Sequence, residues 1–165
     1  MVKTKTEIFS DTENILASKG LKIHSKDTER PWGGYFVVED ESLHGFIEEF
    51  FSGELTDDDM NHHTLSPKIL LIEPGKRLSW QYHNHRSELW KVVKGDVNVI
   101  ISRTDIQTAP KRLSGGDIIR LDKGIRHRLI GLEDWCIVAE IWQHTDPENP
   151  SAEEDIVRVE DDFGR

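Results

Sequence analysis

The chain has 165 residues, 36% of them hydrophobic, and a formal net charge of −10. That length accommodates one domain with a compact core, and the acidity argues against DNA, RNA or anionic lipid as partners. Much of the acidity is local, because positions 146–162 hold eight acidic residues and one arginine. Cys136 is the only cysteine, which excludes an internal disulfide and a thiolate metal cluster. The start, Met1-Val2-Lys3-Thr4-Lys5-Thr6, does not lead into the apolar stretch of a signal peptide, and no apolar run reaches the roughly 18 residues of a membrane span. The expectation is a cytoplasmic protein that does not enter a membrane.

Residues 6–19 carry Ile8, Ile15, Leu16 and Ala17 in a helical pattern, with Gly20 as a stop. The chain must turn around Pro31-Trp32-Gly33-Gly34-Tyr35, and Tyr35-Phe36-Val37-Val38 reads as a first strand. Positions 43–51 predict a short helix with Phe46, Ile47, Phe50 and Phe51 on one side, followed by an exposed loop at Asp57-Asp58-Asp59. His62-His63 reads as a solvated loop pair. From Pro67 onward, short β segments at 68–73, 78–83, 88–93, 97–102, 117–121, 127–130 and 137–142 alternate with turns rich in Gly, Pro and Asp. Many short strands with no helices between them predict an all-β sandwich or barrel. The organisation expected is one domain, with an extension at 1–66 holding a first strand and a candidate lid, a barrel core at 67–145, and an acidic arm at 146–165.

The most informative stretch runs from Gly75 through His83-Asn84-His85-Arg86-Ser87-Glu88. Residues two apart on a strand face the same side, so His83 and His85 are expected to present imidazoles to one point. Glu88 breaks that parity, and a tight bend at Arg86-Ser87 would turn it inward again, with Trp90 and Val92 on its face. A second segment, from Gly116 through Gly124 to His127, supplies a fourth ligand. Three imidazoles and a carboxylate suit one divalent ion, zinc foremost, with Mn, Fe, Co or Ni as alternatives, and leave positions for water or substrate. The two segments resemble the two cupin motifs, with Asp122 standing where that family usually has proline. The resemblance implies a double-stranded β-helix, the cupin or jelly-roll barrel, preceded by short helical segments. Cupins without metal keep the barrel and use such histidines as polar lining, which is the alternative reading.

Three further stretches narrow the resemblance: Arg30-Pro31-Trp32-Gly33-Gly34-Tyr35, the segment from Pro74 to Gly95, and Glu154-Asp155-Ile156-Val157-Arg158-Val159-Glu160-Asp161-Asp162-Phe163-Gly164-Arg165. Together they resemble the type II mannose-6-phosphate isomerase cupin, the domain at the carboxyl end of bifunctional isomerase/guanylyltransferases. That resemblance implies a metal-dependent aldose–ketose isomerase that interconverts mannose 6-phosphate and fructose 6-phosphate through an enediolate. Arg86, Lys68 and Gln81 match family positions lining the pocket. Glu140, alternating with Val138 and Trp142, is the candidate base, or else a carboxylate paired with a barrel arginine. The phosphate would draw on Lys68, Arg86, Arg128 and Arg158. Arg86, Glu140 and Lys68 are thus the catalytic candidates, and Gln81, Arg128 and Arg158 the substrate-binding ones. Ile69 replaces a basic residue usual in the family, Trp142 replaces a glutamine, and the segment 40–66 is long. These departures leave open a free-sugar isomerase acting on lyxose or mannose. A non-catalytic, sugar-binding cupin is a further alternative. Related cupins commonly pair, so the resemblance also implies a homodimer.

Overall fold

The computed structural model describes every residue except His63, so the reading of His62-His63 as a pair lies outside the described residues. Helix α1 (Lys5–Ser18) opens on a capping box in which Thr4 and Glu7 satisfy each other's backbone N–H groups. Its Ile8, Phe9, Thr12 and Leu16 are buried. After α1 come β1 (Ile23–Asp27), β2 (Gly33–Val38), α2 (Leu43–Phe50) and α3 (Asp57–His62). The remaining strands are β3 (Leu65–Ile72), β4 (Trp80–Tyr82), β5 (Arg86–Lys94), β6 (Val97–Ser102), β7 (Lys111–Leu113), β8 (Ile118–Leu121), β9 (Arg126–Gly131), β10 (Cys136–His144) and β11 (Val157–Glu160). No helix among the described residues is long and apolar enough to cross a membrane.

The strands form two antiparallel sheets, one in the order β1-β2-β3-β10-β5-β8 and the other β11-β4-β9-β6-β7. Leu70, Ile72, Trp90, Val92, Leu121 and Val138 of the first sheet pack against Val97, Val99, Leu113 and Leu129 of the second, which makes the barrel interior. The opposite face of the first sheet, with Phe36, Ile69, Leu71, Leu89 and Ile141, is covered by Ile8, Phe9 and Leu16 of α1 and Phe46, Ile47 and Phe50 of α2. Each such side chain fully removed from water contributes about 1.5–3 kcal/mol. Covered on both faces, β10 is buried at every position, so its sequence shows no simple polar–apolar alternation. Close packing of β2 on β3 depends on Gly33: its φ is 141°, and a Cβ there would stand 1.9 Å from the Leu71 carbonyl oxygen.

Several elements differ from the sequence expectation. Strands β1, β7 and β11 had no hydrophobic signal, because they lie at or near sheet edges and keep mostly exposed or half-buried residues. The acidic triplet is helical, not looped, since Thr56 and Asp59 exchange capping hydrogen bonds and the three aspartates fall in the first turn, where the helix dipole favours them. Most consequential for the site, β4 ends at Tyr82 and β5 starts at Arg86. His83, Asn84 and His85 therefore form the turn between strands, and the bend precedes Arg86 instead of following it.

Candidate metal centre and its cavity

The inner face of the first sheet changes from apolar to functional along the ladder. The row Leu70–Val138–Val92 is followed by Lys68–Glu140–Trp90, then Ser66–Trp142–Glu88, then His144–Arg86. On the second sheet, Arg158, Gln81 and His127 are cross-strand partners in one row. Strand parity thus aims these groups at one end of the barrel interior.

His83, Glu88 and His127 converge there, with one potential ligand atom from each lying within 4.8 Å of the others. Their proton positions follow from their partners. His83 Nδ1 is 2.6 Å from the Asp155 carbonyl oxygen and His127 Nδ1 is 2.8 Å from that of Ile125. A carbonyl only accepts, so each Nδ1 carries the proton and each Nε2 presents a lone pair. Those nitrogens face the Glu88 carboxylate at 3.1 and 3.5 Å. Burial works against ionising Glu88, yet its interactions with His83, the Arg86 guanidinium and His127 outweigh it and hold the carboxyl well below its ordinary value. Burial pushes the His127 imidazole down to about 4, against the pull of Glu88. A carboxylate and two imidazole lone pairs converging in a buried place call for a cation between them. Arg86 supplies one on one side, donating to Glu88 Oε1 at 2.8 Å and to His83 Nε2 at 3.2 Å. On the other side, Glu88 Oε2 and His127 Nε2 are buried without a hydrogen-bond partner. That donor set fits a divalent ion.

His85 is not part of this cluster. Its ring Nδ1 is 3.3 Å from the Asn149 amide, and strand parity with His83 does not apply inside a turn. Four expected ligands therefore become three gathered residues plus a neighbour. Arg128 is also displaced from its expected role. It is fully buried, but it follows His127 on β9 and so points to the opposite face, where Nε donates to the Leu78 carbonyl at 2.9 Å. It does not line the cavity described next.

That cavity opens beside Glu88 and is lined by Lys68, Gln81, Arg86, Glu140, Trp142 and Arg158 among others. Glu140 is clamped through both oxygens, accepting from Trp90 Nε1 at 2.6 Å and Trp142 Nε1 at 2.8 Å. Burial, reinforced by the Glu88 charge, pushes it up to about 8 against the opposing pull of Lys68 and Arg86. The Trp142 ring carries the Lys68 ammonium 3.6 Å and the Arg86 guanidinium 3.5 Å from its centroid. Gln81 is buried and accepts from the Ser79 hydroxyl. Arg158 lines the cavity with its Nε buried and unpartnered, and burial together with the Arg165 charge lowers its guanidinium.

Sequence reasoning passed over Arg30, Tyr35, Glu153 and Arg165, which also line the cavity, and Asp155. The Asp155 carboxylate accepts from the backbone N–H of Asn84 and of His85, each at 2.9 Å, and from the Ser151 hydroxyl at 2.7 Å. The available signal was the motif around Arg30, which carries the family resemblance, and the acidic arm, read from its charge as a segment apart from the barrel. Arg86 is tied to the same arm, donating to Ser151 Oγ and the Ala152 carbonyl at 3.0 and 3.2 Å. Arg86→Met is accordingly expected to lower unfolding free energy by about 3 kcal/mol or more, the loss typical when one partner of a buried pair is removed. A denaturant midpoint equal to that of the wild type would contradict this bracing role.

The family model described as Mannose-6-phosphate isomerase C-terminal matches residues 53–161. A search of curated proteins returns no match. Similar solved structures include vicilin from Corylus avellana (hazelnut), 17% identical over 84% of this chain and 36% of that one, with a TM-score of 0.56. The capsular polysaccharide assembling protein CapF from Staphylococcus aureus is 17% identical over 86% and 33%, TM-score 0.52. KdgF from Halomonas sp. is 16% identical over 76% and 92%, TM-score 0.50. The chain spans about a third of the vicilin and capsule proteins, and at these identities the likeness is one of fold.

Proposed function

Because the chain belongs to the mannose-6-phosphate isomerase C-terminal family of cupins, we propose that it is a metal-dependent aldose–ketose isomerase of the mannose 6-phosphate/fructose 6-phosphate type. The observation that carries this reading is Glu140, a buried carboxyl with a raised pKa, held by two indoles in a cavity it shares with Glu88 and several cations. His83, Glu88 and His127 would hold one divalent ion, which when bound would polarise the carbonyl and hydroxyl oxygens of the open-chain sugar. In its ionised form Glu140 would take the proton from C2 of the aldose. The C2–H electron pair becomes the C1=C2 bond, and the aldehyde π electrons move to O1, giving the enediolate. Return of that proton to C1, with transfer of the O2 proton to O1, yields the ketose. Arg86, against Trp142, would offset the charge developing on oxygen. The direct test incubates metal-reconstituted protein with mannose 6-phosphate, fructose 6-phosphate, mannose and lyxose in D2O. Aldose–ketose interconversion, with or without deuterium at C1 or C2, supports the reading, and neither interconversion nor exchange on any of the sugars removes it.

A free-sugar isomerase is favoured by one specific observation, that Lys68 is already engaged by Glu153. Kinetics separate the two. Lys68→Met and Arg158→Met are each expected to weaken mannose 6-phosphate binding by about 1.5–3 kcal/mol, roughly tenfold to more than a hundredfold, while residual action on mannose hardly changes. Equal losses on both sugars would take the phosphate away from these residues. A wild type that prefers mannose outright would transfer the assignment to the free-sugar enzyme.

A further inference from the structure

Of the three acids lining the cavity, two are committed. Glu88 is buried against Arg86 and Glu140 is buried between two indoles. Glu153 differs: its side chain is 50% exposed, and its carboxylate rests on the Lys68 ammonium, which is itself only 7% exposed. Lys68 Nζ is also 4.6 Å from the centroid of Tyr35 and 3.6 Å from that of Trp142. Around this pair the cavity wall carries Arg30, Arg86, Arg158 and Arg165. The charge of Glu153 reaches Arg30 and Arg158, and the buried Nε of Arg158 has no acceptor. The backbone on either side of Glu153 is held, by the Ala152 carbonyl on Arg86 and by the Asp155 carbonyl on His83. Its side chain can therefore leave Lys68 while the arm stays in place.

We propose that Glu153 is a tethered anion occupying the subsite for a phosphate monoester, formed by Lys68 with Arg30 and Arg158, and that an incoming phosphate group binds by displacing it. The inference rests on the reading above for the assignment of the cavity as the ligand site, and it locates the anionic end of the ligand within it. A dianion brings more charge than one carboxylate to a wall holding three nearby cations, so the exchange runs in its favour. Glu153 then acts as an internal competitor. A Lys68–Glu153 pair closed nine-tenths of the time would weaken an anion's apparent affinity about tenfold. The same contact shields the subsite from anions that bind too weakly to displace it.

The test is calorimetric titration of the full-length chain with inorganic phosphate, at constant ionic strength. Glu153→Gln is expected to bind phosphate about tenfold tighter than wild type. Glu154→Gln removes the same formal charge from an exposed neighbour and is expected to leave the affinity unchanged. Adding Lys68→Met to Glu153→Gln is expected to abolish the gain, and binding of mannose, which lacks the anion, is expected to be unmoved by Glu153→Gln. Phosphate affinity of Glu153→Gln within twofold of wild type overturns the proposal. So does an equal gain in Glu154→Gln, in the Lys68→Met double variant, or in mannose binding. No turnover enters the measurement, so the two readings fail separately. A chain without isomerase activity whose Glu153→Gln variant gains phosphate affinity keeps this proposal, and an active chain without that gain loses it.

Discussion

Purified His83→Ala and His127→Ala chains are expected to carry less than about a tenth of the divalent metal found in wild type, which itself should hold close to one ion per chain. Each substitution removes one of three converging donors, and His127→Ala also deletes the lone pair that faces the unpartnered Glu88 Oε2. His85→Ala is expected to lose much less, because its ring lies outside the cluster and its backbone N–H, which Asp155 holds, survives the change. Elemental analysis of the three variants beside wild type checks the ordering. Full metal content in both His83→Ala and His127→Ala removes the assignment of the centre. A His85→Ala loss as severe as the others would mean that the 83–85 turn rearranges to bring a fourth donor inward.

Glu140→Gln is expected to lower turnover by about a hundredfold to ten-thousandfold, the range for removing a positioned acid–base group. The substitution keeps the shape and one acceptor oxygen but cannot carry a proton between C2 and C1. Wild-type activity should also rise with pH through about 8, because the proton-accepting form of Glu140 is the ionised one and burial favours the neutral form below that value. The sign is the same for stability. A carboxyl raised from 4.5 to about 8 favours the fold below its unfolded pKa and loses that contribution as pH climbs through 8. The kcat profile should therefore rise over a range in which the denaturant midpoint falls. A flat profile between pH 6 and 9, or Glu140→Gln turning over at the wild-type rate, would move proton transfer to another group.

Local pattern carried the sequence analysis a long way. Strand parity placed Glu140 with Val138 and Trp142, and Glu88 with Trp90 and Val92, as the inner rows of the first sheet bear out. The same rule, applied to neighbours on β9, separates Arg128 from His127, and Arg128 entered the phosphate group only because charge was weighed without parity. His85 was misplaced for a related reason. Strand geometry was extended past Tyr82 into a turn whose shape depends on Asp155, some 70 residues later in the chain. The same distance hid Glu153 and the pairing of β11 with β4. Contacts of that span leave no periodic trace in the intervening sequence, and the edge strands they create need no apolar face.

The hold of Asp155 on the 83–85 turn also makes that turn a clock. The amides of Asn84 and His85 end on one carboxylate, so their exchange with solvent deuterium is slowed only while the arm is docked, and their protection measures the free energy of lifting it. The carbonyl that fixes the His83 tautomer belongs to the same residue. An opening that lifts the whole of Asp155 exposes the two amides and releases this hold on the imidazole together. During that interval His83 would no longer be held in the orientation in which its Nε2 could serve as a donor to an ion. Release of the ion should then proceed no faster than the opening rate those amides report, wherever dissociation requires His83 to let go.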